Sequence, residues 1–199
     1  MKRLILASSS PRRIEILKNL GLEFEVIPSN FEESLVDDQP QRLVCKLAES
    51  KAKDVISKAP SDSIIIAADT VVVKDKRIFG KPKSQNEAYE MLRELSGSSH
   101  KVVTGICIVD NINELEVADY EETTVYFKEL SDDEIWNYIK TGEPIDKAGA
   151  YGIQSLGGLF VKKIDGCYFN VMGLPVYKLY TMMGELGINI LTEVVKNGK

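Results

Sequence analysis

The chain has 199 residues, with 25 Lys and Arg against 30 Asp and Glu, and a formal net charge of −5. A single histidine and three cysteines exclude zinc sites that need several His or Cys ligands, and His100 alone is available to a nucleophile that requires a histidine base. Three cysteines without a Cys-x-x-Cys favour a reducing, intracellular setting over a disulfide framework. Any catalysis is therefore expected to depend on carboxylate, lysine and arginine side chains.

A hydrophobic share of 44% and a charged share of 28% predict a globular chain that folds as one domain over residues 1–199, with a sizeable core. No apolar run approaches about 20 residues, so we expect a soluble, cytoplasmic protein with no membrane partner. The net acidic balance argues against a nucleic-acid partner, which usually requires a basic face. A small anionic ligand in a local cationic pocket is compatible with this composition.

Alternating strand and helix patterns along the first half of the chain predict an α/β fold. Residues 2–7 are predicted as a strand, and Ser10 and Pro11 follow as the N-cap and first residue of a helix that stops near residue 21. The run 63–73 has the continuous apolar character of a strand buried on both faces. Between these segments lie a predicted short strand at 23–28, an acidic loop at 29–39 and a long helix at about 40–58.

The second half of the chain is predicted to continue the alternation. Two Ser-x-x-Glu patterns predict capping boxes, and Asp165-Gly166 predicts a hairpin whose second strand is 167–171. The capping pairs are Ser84 with Glu87 and Ser131 with Glu134, for helices that end near residues 97 and 142. The other predicted elements are strands at 101–109, 115–127 and 159–164, a last helix at about 175–186 and a frayed tail at 192–199.

Hydroxyl and guanidinium groups converge at the start of the first predicted helix, in Ser8-Ser9-Ser10-Pro11-Arg12-Arg13. Backbone N–H groups at a helix N-terminus attract anions, and two arginines in a first turn oppose the helix dipole unless a negative group lies among them. Phosphate is the natural candidate for that group. An ordinary surface turn with a serine cap is the alternative interpretation.

Two charged residues fall on surfaces that are otherwise predicted to be apolar. Asp69 lies in the most apolar stretch of the chain, where a carboxylate must be paired, hydrogen-bonded or bound to a metal. Lys51 shares one side of the long helix with Leu47 and Val55. Because buried acids cluster at functional sites, we favour a functional Asp69 over a structural ion pair. For Lys51, a side chain that reaches solvent from the edge of the apolar side is an equal alternative.

Two glycine-containing loops complete the candidate features. Gly80-Lys81-Pro82 lies in the turn between Ile78-Phe79 and the helix capped at Ser84. The segment 146–154 ends in Gln154, whose amide could contact a base edge. Each is a weak signal alone, since both are also typical of connecting loops. The sequence contains neither a P-loop nor a Gly-x-Gly-x-x-Gly motif. His100 is predicted to be a structural residue, and Cys107 and Cys167 are predicted to be core residues.

Taken together, these segments resemble the Maf family of nucleotide pyrophosphatases, from about residue 4 to about residue 186. Each motif is weak alone, but the set follows the family's order and spacing. Ser155 stands where the family often has Gly, a difference that bears on loop conformation more than on chemistry. The matching segments are Ser8-x-Ser10-Pro11-Arg12-Arg13, Glu33, the helix with Lys51, Ala68-Asp69-Thr70-Val71-Val72, Lys81-Pro82 and residues 146–154.

The resemblance implies a central mixed sheet flanked by helices, related to inosine triphosphate pyrophosphatases, and commonly a homodimer. It also implies hydrolysis of a nucleoside triphosphate to the monophosphate and pyrophosphate with a divalent cation, Mg²⁺ or Mn²⁺. Within the family, Arg12, Thr70 and Gln154 match the subclass that prefers dTTP and UTP. These three residues are therefore the expected determinants of base specificity.

Charge assigns roles to these residues in such a reaction. Water attacks the α-phosphorus while cationic groups neutralise the phosphate oxygens and a carboxylate orients or deprotonates the water. We expect Asp69 to be the general base and Glu33, with Asp69 as a second ligand, to hold the metal, with Lys51 also in the catalytic set. The expected phosphate-binding residues are Ser8, Arg12, Arg13, Lys51 and Lys81.

Two other functions stay open from the sequence. A 7-methyl-GTP pyrophosphatase would keep the same chemistry and change the base that is recognised. A non-catalytic, nucleotide-responsive regulator of cell division would keep the pocket without turnover.

Overall fold

The computed structural model describes residues 3–31 and 39–196. In these ranges the predicted α/β fold is confirmed, because seven strands form a mixed sheet that helices flank. The strands are β1 (Arg3–Leu6), β2 (Glu25–Val26), β3 (Ser63–Lys74), β4 (Arg77–Phe79), β5 (Ser99–Asp110), β6 (Leu115–Phe127) and β7 (Val161–Asp165). The helices are α1 (Pro11–Asn19), α2 (Pro40–Ile56), α3 (Gln85–Leu95), α4 (Asp132–Lys140), α5 (Tyr168–Met172), α6 (Val176–Glu185) and α7 (Ile190–Lys196). Short 3₁₀ helices cover Glu143–Asp146, Ala148–Ala150 and Leu156–Phe160.

The sheet has the strand order β2-β1-β3-β5-β6-β7, and β4 pairs with β3 outside this path. β1 runs parallel to β2 and β3, with Leu6 paired to Ile66. β4 on β3 and β7 on β6 are antiparallel. Parallel neighbours require crossover connections, which α1 supplies between β1 and β2. β1 thus ends beside Ile66, in the middle of β3, which continues in the same direction to Lys74.

The chain falls into two compact units. Unit 1 consists of Met1–Asp69, Thr104–Glu121 and Gly173–Lys199, and unit 2 consists of Thr70–Val103 and Glu122–Met172, each within the described ranges. The single domain over residues 1–199 stays a prediction.

In unit 1, α2 covers one face of the sheet with its apolar side. Its buried residues recur every three or four positions, as the sequence predicts, and Pro40 occupies its first turn, where a missing N–H costs nothing. The apolar cluster between helix and strands consists of Ile5, Ala7, Ala48, Ala52, Val55, Ile65, Ala67, Cys107 and Val109.

In unit 2, one of the two predicted capping boxes is complete. Ser131 Oγ accepts from the N–H of Glu134 at 3.3 Å, and Glu134 Oε2 accepts from the N–H of Ser131 at 3.0 Å. At α3 only half of the box forms. Ser84 Oγ accepts from the N–H of Glu87 at 3.1 Å, but Glu87 Oε2 accepts from the N–H of Lys83 instead. Both helices begin at the predicted place.

His100 is buried in the core of unit 2, as predicted for a structural residue. Its Nε2 lies 2.8 Å from Tyr151 Oη, and its ring makes edge contacts with Phe127 and Tyr151.

The two cysteines that were predicted to lie in the core differ in burial. Cys107 is fully buried, whereas Cys167 is half-buried, so the predicted core position is wrong for Cys167.

The hairpin predicted at Asp165-Gly166 is wrong, because residues 168–172 form α5 rather than a returning strand. Thr123 Oγ1 accepts from the N–H of Cys167 at 2.9 Å and donates to its carbonyl at 3.2 Å. Asn170 Nδ2 donates to Val102 O and Thr123 Oγ1, both at 2.9 Å. These side-chain bonds hold the chain after Gly166 in place of a strand ladder.

The part of the predicted frayed tail from residue 192 to Lys196 lies in α7, and its fraying stays a prediction. Asn189 Oδ1 accepts from the N–H of Thr192 at 3.2 Å, which caps the helix. None of the helices in ranges 3–31 and 39–196 combines the length and apolar character needed to cross a bilayer.

Candidate active site

Beyond the carboxyl end of β1, unit 1 places candidate residues on two segments, the chain that follows β1 and the middle of β3. The N–H of Ala7 donates to Ile66 O at 2.8 Å, so the chain leaves β1 beside the part of β3 that continues to Asp69. In open α/β sheets, ligands bind outside the carboxyl ends of the parallel strands. Ser8, Arg12 and Arg13 follow β1 directly, and Asp69 lies on β3 just beyond Ile66, the partner of the last residue of β1.

Lys51 and Asp69 form a buried ion pair in unit 1. Asp69 is 4% exposed and Lys51 is 8% exposed, and Lys51 Nζ donates to Asp69 Oδ1. Strand alternation places Asp69 on the face of Ile65 and Ala67, which α2 covers. The prediction that Lys51 projects from the apolar side of its helix is confirmed, and the alternative of a lysine that reaches solvent is wrong.

The burial of this pair is costly, because both charges lose their hydration. A carboxylate and an ammonium in the interior repay that cost only through close mutual contact and further hydrogen bonds. The functional and the purely structural interpretations of Asp69 share this geometry. What the pair provides chemically is a carboxylate in direct contact with a cation, on β3 just beyond the point where β1 ends.

A network of hydrogen bonds orders the turn before α1. Arg13 Nη1 donates to Ser8 Oγ at 3.1 Å, and Arg13 Nε donates to Gly173 O at 2.8 Å. Ser10 occupies the N-cap position, but its hydroxyl makes no capping bond, so the predicted serine cap is wrong in that respect. The N–H of Ser10 instead donates to Ser8 Oγ at 3.2 Å. Ser8 and Arg13 are thus brought together, with Arg12 half-buried beside them in sequence.

Helix α2 also holds the beginning of the loop that leads to Glu33. Asp54 Oδ2 accepts from the N–H of Asn30 at 2.8 Å and from Ser29 Oγ at 3.1 Å. The hydrogen bond from Lys58, followed by that from Asn30, holds the pKa of Asp54 below its usual range. Glu33 itself lies outside the described residues, so the predicted pairing of Glu33 with Asp69 stays a prediction.

The candidate residues of unit 2 lie on three segments. Thr70 is half-buried in β3, and Lys81 is exposed just after β4. The N–H of Gly149 donates to Gly80 O at 3.1 Å, which joins the Lys81 turn to the segment 146–154. Gly149 has φ of +66°, and a Cβ there would lie 2.9 Å from Val72 Cγ2, so this contact requires glycine.

Gln154 lies at the end of that segment and is half-buried. Within the described chain its Oε1 is buried without a hydrogen-bond partner. Buried polar atoms are nearly always bonded, so an unpaired carboxamide oxygen is typical of a group that meets a ligand or water.

Sequence reasoning missed the residues that hold this segment. Lys147 is buried, and its Nζ donates to Glu143 O and Asp146 Oδ1, both at 2.7 Å. The Glu143 carboxylate bonds residues 12 to 14 positions later in the chain. A contact over that distance leaves no periodic signal in the sequence.

The described residues supply only part of a ligand set for a divalent cation. Among residues 3–31 and 39–196, no group of three or more His, Cys, Asp or Glu side chains is placed to hold a metal ion. Mg²⁺ is commonly held by only one or two carboxylates, with substrate phosphates and water as the other ligands. Asp69 supplies one such carboxylate, so the residues fit an ion shared with a phosphorylated substrate and not a site built from protein alone.

Comparison with known proteins places the chain in a family. The model of the Maf-like protein family matches residues 3–186. A protein named dTTP/UTP pyrophosphatase from Caldicellulosiruptor bescii is 51% identical over 197 residues, which cover 96% of this chain and 98% of its own. A protein of the same name from Alkaliphilus oremlandii is 51% identical over 193 residues, covering 96% and 100% of the two chains.

A solved structure agrees on the fold alone. The HAM1 protein from Coxiella burnetii matches with a TM-score of 0.54 at 16% identity, over 93% of this chain and 100% of its own. The family match over most of the chain and relatives half identical along nearly their whole length lead to one conclusion. The chain belongs to the Maf-like protein family.

Proposed function

We propose that the protein hydrolyses dTTP and UTP to the nucleoside monophosphate and pyrophosphate. Relatives named dTTP/UTP pyrophosphatase, about half identical over nearly the whole chain, support the substrate. The buried Lys51–Asp69 pair is the structural observation that carries the proposal, because it keeps a carboxylate poised beside a cation. The homodimer and the cytoplasmic location stay predictions.

Asp69 is the proposed general base. It takes a proton from water as the water oxygen bonds to the α-phosphorus, and the bond from that phosphorus to the bridging oxygen breaks to release pyrophosphate. Lys51 donates a hydrogen bond to Asp69 and offsets negative charge that develops on the α-phosphate. Ser8, Arg12, Arg13 and Lys81 are the proposed partners of the remaining phosphate oxygens.

Asp69 and Glu33 are the residues proposed to hold a divalent cation. When bound, the cation neutralises phosphate charge and acts as a Lewis acid. Arg12, Thr70 and Gln154 are the proposed contacts of the pyrimidine and its sugar. The amide of Gln154 has both a donor and an acceptor, as recognition of a uracil or thymine edge requires.

The identity of the products tests the reaction most directly. After incubation with dTTP and Mg²⁺, we expect dTMP and pyrophosphate in equal amounts by anion-exchange chromatography. Formation of dTDP and phosphate would place cleavage at the γ-phosphorus and contradict the proposal. Binding of dTTP by calorimetry without turnover under any divalent metal would favour the regulator, and preference for 7-methyl-GTP over UTP in competition would favour the other subclass.

Substitution of the proposed base tests its role. Asp69→Asn keeps the shape and an oxygen that accepts from Lys51, but it cannot take a proton. We expect a fall in kcat of at least about 100-fold, the usual scale for loss of a general base. Circular dichroism is expected to show an unchanged fold. Turnover near that of the unsubstituted protein would move the base to another residue, with Glu33 next in line.

A further inference from the structure

The residue Gln154 lies in a turn that is fixed at both ends. Ile153 and Gln154 are its central residues, and the N–H of Ser155 donates to Gly152 O across it at 3.4 Å. The carboxamide folds back over the turn, because a Cβ on Gly152 would lie 3.3 Å from Gln154 Oε1. The position of the amide therefore follows the position of Gly152.

One carboxylate holds both ends of this turn. On the far side of the turn, Glu143 accepts three hydrogen bonds, and on the near side it is linked to Gly152 through the hydroxyl of Tyr138. Glu143 Oε1 accepts from Ser155 Oγ at 2.7 Å, the N–H of Gly157 at 3.2 Å and Tyr138 Oη at 2.8 Å, and Oε2 accepts from the N–H of Leu156 at 3.2 Å. Tyr138 Oη accepts from the N–H of Gly152 at 3.2 Å.

Close packing leaves the segment little freedom to shift. A Cβ on Gly152 would lie 2.6 Å from Lys147 Cε, and a Cβ on Gly157 would lie 2.7 Å from both Gly152 O and Tyr138 Oη. The contact of Gly157 with the backbone of Gly152 admits only glycine, whereas a side chain at Gly152 would have to displace the end of Lys147. The turn is held by hydrogen bonds from within and by packing from outside.

The pKa shifts of Glu143 and Tyr138 agree with Glu143 as the acceptor and Tyr138 as the donor of the hydrogen bond between them. Burial raises the pKa of Glu143, but hydrogen bonds from Ser155, Tyr138, Gly157 and Leu156 together hold it below its ordinary value. Burial and the bond to Glu143 raise the pKa of Tyr138, so its hydroxyl stays a donor. At neutral pH the network therefore consists of one carboxylate acceptor and four donors.

We propose that Glu143 is a positioning residue for nucleobase selection, because it fixes the turn that carries Gln154. The inference rests on the proposed function, in which Gln154 contacts the pyrimidine. UTP and CTP differ only at the base edge. UTP has a carbonyl oxygen and an N–H there, whereas CTP has an amino group and an acceptor nitrogen at the same positions. A fixed carboxamide matches one of these patterns, whereas a loosened one rotates and accepts both. Ser155, which differs from the glycine common in the family, adds one of the bonds.

The test compares Glu143→Ala with Glu134→Ala. Glu134 is a matched control in the same unit, because its carboxylate also accepts hydrogen bonds from a serine hydroxyl and a backbone N–H, at the start of α4. In Glu143→Ala we expect the ratio of kcat/KM for UTP to that for CTP to fall at least about 10-fold, mainly through KM for UTP, since misplacement by about 1 Å can cost 100-fold. In Glu134→Ala we expect the ratio to stay within twofold. Glu143→Gln, which keeps one acceptor oxygen, is expected to be intermediate.

A second measurement does not depend on activity. Amide hydrogen exchange at Gly152, Leu156 and Gly157 is expected to accelerate in Glu143→Ala and to stay slow in Glu134→Ala. Tyr138→Phe keeps the ring against Phe160 and removes only the hydroxyl, so it tests the Gly152 link if Glu143→Ala does not fold. In that variant, exchange is expected to accelerate at Gly152 and the UTP to CTP ratio to fall.

The outcomes separate this inference from the proposed function. Slow exchange retained in Glu143→Ala, or a UTP to CTP ratio unchanged despite faster exchange, would overturn the role of Glu143. An unsubstituted protein that releases no pyrophosphate from UTP would instead overturn the proposed function. The exchange measurement would in that case still decide whether Glu143 holds the turn.

Discussion

Lys51 and Asp69 are joined in a way that stability alone does not favour. Apolar residues of similar volume often stabilise a core as much as a buried ion pair or more, because they avoid the cost of dehydrating two charges. The presence of such a pair on β3, just beyond the end of β1, is therefore better explained by chemistry than by folding.

Removal of one charge separates these two contributions. Lys51→Met leaves the Asp69 carboxylate buried without its cation, and we expect the free energy of unfolding to fall by about 3–5 kcal/mol. Lys51→Met with Asp69→Leu is expected to recover most of that loss in urea denaturation while pyrophosphate release stays absent. A Lys51→Met protein as stable as the unsubstituted one would show that Asp69 is compensated elsewhere.

Among single residues, the sequence predicted the buried charges of Lys51 and Asp69 better than the residues that order the surrounding loops by hydrogen bonds. A carboxylate in an apolar run and a lysine on an apolar helix side are visible in the sequence. The buried residues around them are apolar and form a continuous run in the strand and a recurrence every three or four positions in the helix. The role of Ser8 as the acceptor in this turn was not visible in the sequence. A cap at Ser10 has the same local pattern, and Ser8 is selected by its hydrogen bond from Arg13. Glu143 was missed for the same reason, since its partners are fixed only by the fold.

At the scale of elements, α2 carries Lys51 and lies directly on β5. A Cβ on Gly105 would lie 2.4 Å from the carbonyl carbon and oxygen of Val44, so the helix backbone touches the strand there. Gly105 thus sets how closely α2 approaches the sheet, and therefore the distance from Lys51 on α2 to Asp69 on β3.

A pair of glycine substitutions tests this contact. Gly105→Ala forces α2 away from β5, and we expect a loss of stability of about 1–3 kcal/mol, the scale of overpacking, with lower kcat. Gly184→Ala in α6 is the control, because its Cβ would meet nothing within 4 Å and alanine favours a helix interior by about 1 kcal/mol. Urea denaturation and pyrophosphate release would measure both. Equal stability of the two variants would contradict the close approach.

The elements themselves were predictable where one local rule decided them. Proline at the first turn and Ser-x-x-Glu patterns place the starts of α1, α2, α3 and α4. The strand after Gly166 failed because Thr123 and Asn170, distant in sequence, supply the hydrogen bonds that a partner strand would have supplied. α7 was not predicted because its cap, Asn189, comes only two residues after Gly187, at which the preceding helix ends.

At the scale of the whole molecule, the mixed sheet was expected but its strand order was not derivable from pattern alone. β1 pairs with β3 through Arg3 and Ser63, residues that no local signal connects. Alternation and burial specify which face of each strand is covered, whereas the neighbours of a strand are chosen by the packing of the complete chain.

The only histidine of the chain makes the stability of the molecule depend on pH in a way that can be isolated. Burial, followed by the charge of Lys74, lowers the pKa of His100 from 6.5 to about 3. Between these values the unfolded chain binds a proton that the folded chain excludes, so the contribution of His100 is complete above pH 6.5 and is lost as pH falls toward 3. From about pH 7.5 to pH 5 we expect the free energy of unfolding to fall by about 2 kcal/mol on this account.

The variant His100→Gln tests this contribution, because it keeps a polar side chain beside Tyr151 without a titrating group. Over the same pH interval we expect its free energy of unfolding, measured by urea denaturation, to fall by less than that of the unsubstituted protein, by about the same 2 kcal/mol. Parallel losses in the two proteins would mean that His100 accepts a proton in the folded state.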